Sequence, residues 1–188
     1  MSVASFVTGE SRLSYVNVME PRKNEDGSEQ YSITILVPKT DTETVNAIQA
    51  AIQAASEYGA EKTWSGKTPG KIFNPMHDGD GLRDNGEPFG EECKGCFVFT
   101  ANNKKEKPQV VDENGNDILV ASNIYSGCYG RVYVDVFPYN HNGKCGVGFK
   151  LGPVQKLRDG EPLAGRTPTA AEVFGAPKPQ ASAASVFG

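Results

Sequence analysis

Between Cys128 and Leu151 the chain alternates with a period of two on both sides of a turn, and this stretch constrains the fold more than any other. Gly130, Val132, Val134 and Val136 share one face of the first run; Cys145, Val147, Phe149 and Leu151 share one face of the second. That period marks strands with one buried side, and Asn140-His141-Asn142-Gly143 supplies the turn. A four-residue turn pairs Tyr139 with Lys144, so that Val136 meets Val147, Val134 meets Phe149 and Val132 meets Leu151. A two-residue Asn142-Gly143 turn shifts the register by two and keeps the same facing.

The opposite face carries Tyr129, Arg131, Tyr133, Asp135 and Phe137 against Gly146, Gly148 and Lys150. In the four-residue register Phe137 meets Gly146, Asp135 meets Gly148 and Tyr133 meets Lys150. The glycines leave ring faces open beside cations, which is the surface that single-stranded nucleic acid needs: aromatic planes for bases and positive charge for phosphates. The alternative is that Tyr129, Tyr133 and Phe137 pack under a long loop as a second small core. Lys62, Trp64, Lys67, Lys71 and Phe73 repeat the basic–aromatic mixture, with no acid between Lys62 and Phe73, and favour the nucleic-acid reading. Their own alternative is an exposed loop with one anchoring tryptophan. The polar connector Lys104-Lys105 adds two cations to the candidate DNA-binding set.

Elsewhere, strand formers run from Arg12 to Val18 and from Gln30 to Val37, the second placing Tyr31, Ile33, Ile35 and Val37 on one face. A helix follows. Thr40 as N-cap and Glu43 at N3 match a capping box, Val45, Ile48, Ile52 and Ala55 recur at helical spacing, and Gly59 is the expected stop. Residues 64–92 form a long loop rich in Gly and Pro; such a loop in a compact domain is usually functional. Phe97 to Ala101 and Val110-Val111 resume strand character. Many strands around a single helix indicate a small, mainly β domain, and a closed five-stranded barrel with one inserted α-helix fits the order, although order alone does not fix the topology. Residues 168–188 are Ala/Pro/Ser-rich and predict a disordered C-terminal tail beyond a 1–167 domain. Phe174 and Phe187 stand in matching Val-Phe-Gly contexts there, as partner-docking points or as part of an indifferent solubilising tail.

Other chemistry fits poorly. No run of 18 apolar residues exists, which argues against a membrane span, and Met1 to Phe6 lacks the pattern of a secretory signal. Four cysteines in 188 residues suggest a reducing, intracellular setting. Cys93-Lys94-Gly95-Cys96 with Cys128 and Cys145 invites a zinc site, but the hairpin separates Cys128 from Cys145 by about 33 Å at ~3.3 Å per residue. No metal or other cofactor is expected. Gly66-Lys67-Thr68 lacks the first glycine of a phosphate loop, since position 61 is Glu61. Asp78-Gly79-Asp80 lacks the later ligands of a calcium loop and reads as a turn. The net charge of −4 is no guide to partners, because acids cluster between Asp78 and Glu92 while the candidate surfaces are basic.

Several segments in order carry a resemblance. They are Arg12-Leu13-Ser14-Tyr15-Val16-Asn17-Val18 with Pro21, Tyr31-Ser32-Ile33 leading to Val37-Pro38-Lys39, Asp78-Gly79-Asp80, Tyr125-Ser126-Gly127-Cys128-Tyr129, and Val154 to Glu161. Over about residues 10–165 the chain resembles the bacteriophage single-stranded-DNA-binding proteins long catalogued as a domain of unknown function. The resemblance implies an OB-fold barrel that coats single-stranded DNA in phage replication, recombination or repair, in the cytoplasm of the host bacterium, without enzymatic activity. Many such proteins end in an acidic tail with a terminal aromatic; this tail keeps Phe187 but only Glu172 as an acid. Phage or host replication proteins are the partners such a tail implies. Two other readings remain: an adaptor barrel that binds protein, and a metal-dependent nuclease using His77, Asp78 and Asp80.

Overall fold

The hairpin forms, and its turn is the shorter of the two alternatives. In a computed structural model, which describes residues 3–163 and 173–175, β-strands Tyr129–His141 and Lys144–Arg158 pair antiparallel with His141 opposite Lys144. Asn142 and Gly143 take φ of 51° and 81°, the left-handed pair that suits a two-residue turn to the twist of its strands. Val136 therefore faces Phe149 and Val134 faces Leu151, two residues on from the four-residue register. The expected facing is kept, because a shift of two preserves parity: Val132, Val134, Val136, Val147, Phe149 and Leu151 are all buried.

In chain order the strands are β1 (Ala4–Val7), β2 (Ser11–Lys23), β3 (Glu29–Pro38), β4 (His77–Asp78), β5 (Cys96–Asn103), β6 (Val110–Val111), β7 (Tyr129–His141) and β8 (Lys144–Arg158), with helix α1 (Thr42–Tyr58) after β3. β2 pairs with β3, β3 with β5, β5 with β8, β8 with β7, and β7 with β2. Five strands thus close a ring, antiparallel except at β5–β8. β1 extends it beyond β7, while β6 pairs with β8 and β4 with β5. The rings of Phe6, Phe99 and Phe149 meet edge to face inside, with centroids 5.0–5.8 Å apart, a preferred aromatic geometry.

Helix α1 lays Thr44, Val45, Ile48, Ala51 and Ala55 against this core. Its N-cap is Asp41, not Thr40: the Asp41 carboxylate accepts from Thr44 N at 3.1 Å. The Thr44 hydroxyl accepts from Gly9 N at 2.8 Å and ties the β1–β2 turn to the helix. Gly59 caps the helix without stopping it, with φ −60° and ψ −44°, and the chain runs on through one π-helical turn to Thr63. Glycine is required there for space: a Cβ would sit 2.8 Å from both the Trp64 ring and Pro138 Cβ.

A second small core lies outside the ring, but Tyr129, Tyr133 and Phe137 do not form it. It consists of Leu36, Cys93 and Val98, with Phe89 and Cys96 alongside, where the long loop returns over β3 and β5. Among the described residues, no helix is long and apolar enough to cross a membrane.

Candidate nucleic-acid interface

On the outward face of the hairpin, aromatic rings lie across glycines of the facing strand. A Cβ on Gly148 would stand 2.5–3.1 Å from three atoms of the Phe137 ring, and one on Gly146 would meet both Tyr139 and Phe73. The Phe137 ring thus packs on bare backbone, while Gly146 makes room for the Tyr139 hydroxyl end and the Phe73 Cβ. Tyr133 lies against Gly152 in the same way, and its hydroxyl donates to Asp135 Oδ1 at 3.0 Å.

Phe137 borders a groove of about 320 Å³ shared with Lys104, Lys105, Lys150, Asn102 and Asp135. The pairing of Asn102 with Lys150 brings β5 beside β8 here. Asn103 shapes the groove from within, though sequence reasoning passed it over. It is buried; its amide donates to Leu151 O at 3.2 Å, and its Oδ1 accepts from Lys105 N at 3.0 Å and Glu106 N at 3.1 Å. The turn that presents Lys104 and Lys105 is thereby fixed to the barrel. An asparagine ending a strand looks like any turn residue in the sequence.

The basic–aromatic loop divides. Phe73 joins the hairpin: its N donates to Cys145 O and its O accepts from Val147 N, both at 3.0 Å. Its ring is 39% exposed, with Lys71 Nζ 4.9 Å from the centroid. Trp64 is only 4% exposed, and its indole Nε1 donates to Tyr139 O at 2.9 Å. The expectation that Trp64 stacks on bases is therefore corrected, because the ring is the anchor of the loop. Lys67 is exposed, and Lys62 pairs with Glu61 at 2.8 Å.

Tyr129 and Arg131 occupy the other end of β7, about 20–26 Å from Phe137 at ~3.3 Å per residue. Arg158 stacks 3.7 Å above the Tyr129 ring, with Arg12 at 5.9 Å. The Arg158 guanidinium over the ring and the close approach of Gly160 to its edge take Tyr129 out of the stacking set. Arg131 is exposed, with Nε directed to Thr8 O at 3.3 Å. The structure thus gathers Lys104, Lys105, Phe137 and Lys150 around one groove at the middle of the hairpin, sets Lys71 and Phe73 beside β8 nearer the tip, and leaves Tyr129 and Arg131 apart. Phe174 is 85% exposed; Phe187 lies outside the described residues.

The segments that carried the resemblance contact one another. Gly127 N donates to Leu13 O at 2.7 Å, Arg12 Nη2 to Glu161 O at 2.7 Å, and the Tyr125 hydroxyl to Asp159 at 3.0 Å. Lys39 Nζ bridges Asp78 Oδ1 at 2.6 Å and Asp80 Oδ2 at 2.7 Å. Hydrogen bonding to Lys39 holds both carboxyls below the ordinary aspartate range, and Asp78, then Asp80, raises the lysine. The carboxylates of the nuclease alternative therefore grip a cation of the protein itself. Cys145 sits opposite Asn140 near the hairpin tip while Cys128 precedes Tyr129 at its base, and burial raises the thiols of Cys93, Cys96 and Cys128.

A family profile described as the ssDNA-binding protein of Enterobacter phage Enc34 matches residues 4–184. Protein p50 of Acyrthosiphon pisum secondary endosymbiont phage 1 is 30% identical over 168 residues, covering 87% of this chain and 88% of that one. Among solved structures, the single-stranded DNA-binding protein from bacteriophage Enc34, in complex with ssDNA, superposes with a TM-score of 0.69 at 24% identity, over 86% of this chain and 90% of that one. The single-stranded DNA binding protein gp2.5 of bacteriophage T7 gives 0.59 at 16%, over 95% and 98%. These two likenesses bear on fold, and the five-stranded ring with its inserted helix is the OB-like architecture expected from the resemblance.

Proposed function

The chain belongs to the family of the Enterobacter phage Enc34 ssDNA-binding protein, and from that premise we propose that it binds single-stranded DNA, without sequence preference and without catalysis, along the groove beside the middle of the β7–β8 hairpin. The observation that carries this reading is the Phe137 ring packed against Gly148 at the edge of a groove that also holds Lys104, Lys105 and Lys150. A ring backed by a glycine offers its other face to a base, and the surrounding ammonium groups suit phosphates. In this reading Phe137 and Phe73 stack, with Tyr133 bordering them. Lys71, Lys104, Lys105 and Lys150 meet phosphates, and Lys62, Lys67 and Arg131 supply a wider positive field.

The binding unit is residues 1–167, and residues 168–188 form a separate segment in which Phe174 and Phe187 dock a phage or host replication protein. The setting is phage DNA replication, recombination or repair in the host cytoplasm.

Titration of labelled oligo-dT at several salt concentrations tests the binding site. Phe137→Ala is expected to weaken binding about fivefold or more at every salt concentration, since one stacked base is worth about 1–3 kcal/mol. Lys150→Ala is expected to flatten the log–log salt dependence by ~0.7, one phosphate contact on a single strand. Parental behaviour in both variants refutes the site.

A further inference from the structure

We propose that residues 117–120, at the β6 end of the sheet, are a docking edge for another protein, whose occupant is a short extended apolar segment flanked by lysine or arginine. The edge lies antiparallel to β6: Asp117 bridges Val111, and Ile118 N donates to Val110 O at 2.8 Å. Ile118 thus directs its N–H toward β6, and its neighbours Asp117 and Leu119 direct theirs away from it, as alternate residues of an antiparallel strand do. Among the described residues, nothing hydrogen-bonds the backbone N–H or C=O of Asp117 or of Leu119. Unpaired groups on alternate residues are the template to which an extended chain adds as a further strand.

The side chains on this edge set what it accepts. Leu119 is 85% exposed and Val120 56%, and with Ile118 and Leu157 they border a cleft of about 640 Å³. Asp112, Glu113 and Asp117 border it as well. The two cations beside them are already engaged. Lys156 pairs with Asp159 at 2.6 Å and donates to Asn123 O, while Arg158 pairs with Glu10 at 2.6 Å and stacks on Tyr129. The cleft therefore combines exposed apolar side chains with carboxylates that no cation of the chain offsets.

That charge decides between occupants. Phosphates are repelled by these carboxylates, and Lys156 stands six residues along β8 from Lys150, about 20 Å from the groove assigned to DNA. A second copy of the chain would bring the same acids to the same edge, and like charges facing each other across paired strands are destabilising. A strand from a different protein, apolar opposite Ile118, Leu119 and Val120 and cationic opposite Asp117, satisfies both the open backbone groups and the carboxylates. Main-chain hydrogen bonds then supply affinity and the flanking charges supply selectivity.

The test follows a labelled Lys-Lys-Val-Leu-Val-Lys-Lys peptide by fluorescence anisotropy on the full chain, with Glu-Glu-Val-Leu-Val-Glu-Glu as control. Saturable binding of the lysine peptide and none of the glutamate peptide is expected, with the Asp117 and Leu119 amides gaining protection from hydrogen exchange. Leu119→Pro removes an outward N–H that bonds no described residue and is expected to weaken the peptide about fivefold or more, one lost hydrogen bond together with lost apolar contact. Glu113→Lys is expected to weaken it about twofold or more. Both variants are expected to keep the parental urea midpoint and oligo-dT affinity. If Leu119→Pro lowers the midpoint, Leu119→Ser replaces it with the same expectation. No saturable binding, equal binding of the glutamate peptide, or parental peptide affinity in the Leu119 and Glu113 variants overturns the docking edge and leaves the DNA groove standing. Sedimentation showing a dimer of the parent that Leu119→Pro dissociates would make the occupant a second copy, and tighter peptide binding after deletion of residues 168–188 would make it the chain's own tail; either result overturns the basic partner.

Discussion

The indole of Trp64 hydrogen-bonds to the carbonyl of Tyr139, 75 residues away in sequence. The contact fastens the start of the long loop to the hairpin just below its tip, and Gly59 makes room for the ring. Trp64→Phe removes the hydrogen bond and part of the packing while keeping an aromatic ring. Urea unfolding is expected to show a loss of about 1–2 kcal/mol, with oligo-dT affinity of the folded protein within twofold. A large loss of affinity at unchanged stability would return Trp64 to the DNA surface.

Gly148 tests the stacking geometry without touching the ring itself. In Gly148→Ala the new methyl would stand 2.5 Å from Phe137 Cζ. The far end of the ring must swing away, so its seat on the backbone is lost. The strand gains by losing a glycine, about 0.5–1 kcal/mol, which offsets part of the displacement. Stability is expected to stay within about 1 kcal/mol and oligo-dT affinity to fall severalfold; parental affinity at parental stability would show that the ring's seat is irrelevant.

The grip of Lys39 on Asp78 and Asp80 has a defined pH window. Both carboxyls are depressed by the lysine, so their contribution is complete above the unfolded value of about 3.9. It is lost as pH falls through the depressed values. Lys39 is raised, so its contribution is complete below about 10.4 and is lost only as pH rises through the raised value. Between those limits protection of the Gly79 and Gly95 amides, measured by hydrogen exchange, is expected to be flat once intrinsic exchange is corrected. Lys39→Met is expected to expose the loop to proteolysis at neutral pH. Equal cleavage of parent and variant would mean that the loop is held elsewhere.

The elements that were legible in the sequence are those with local signals. Alternating valines gave the faces of β7 and β8, and helical spacing gave the buried side of α1. The turn length was ambiguous because registers two residues apart bury the same side chains. Asp41 and Thr40 are adjacent and both are good caps, so residue type alone does not choose between them; in the structure Asp41 accepts from Thr44 N. Of the candidate site, parity gives Phe137 and Lys150 their outward positions, and composition marks Lys71 and Phe73, which the structure brings beside the hairpin by pairing Phe73 with β8. Trp64 and Tyr129 were misread because composition marks an aromatic near cations but not which ring is covered. The outward turn of Tyr15 was not legible because a bulge breaks the alternation of β2.

The Asn142-Gly143 turn is the place to ask what holds the hairpin register. Both residues have positive φ, and alanine in a left-handed conformation costs about 1–2 kcal/mol. Gly143→Ala is expected to lose about 1 kcal/mol in urea unfolding, whereas Asn142→Gly should stay within about 0.5 kcal/mol, since glycine accepts the conformation. A turn longer by two residues would bring Phe137 opposite Gly146 instead of Gly148 and keep every valine inward, so burial alone does not oppose the slip. The ring does oppose it: β8 is also held by Asn102 at Lys150 and by Val110 at Val154, and a slip would break both pairings. Cross-strand NOEs between Phe137 and Gly148 are therefore expected to persist in Gly143→Ala despite the lost stability. Their replacement by NOEs between Phe137 and Gly146 would show that the two-residue turn sets the register, and with it the glycine on which Phe137 rests.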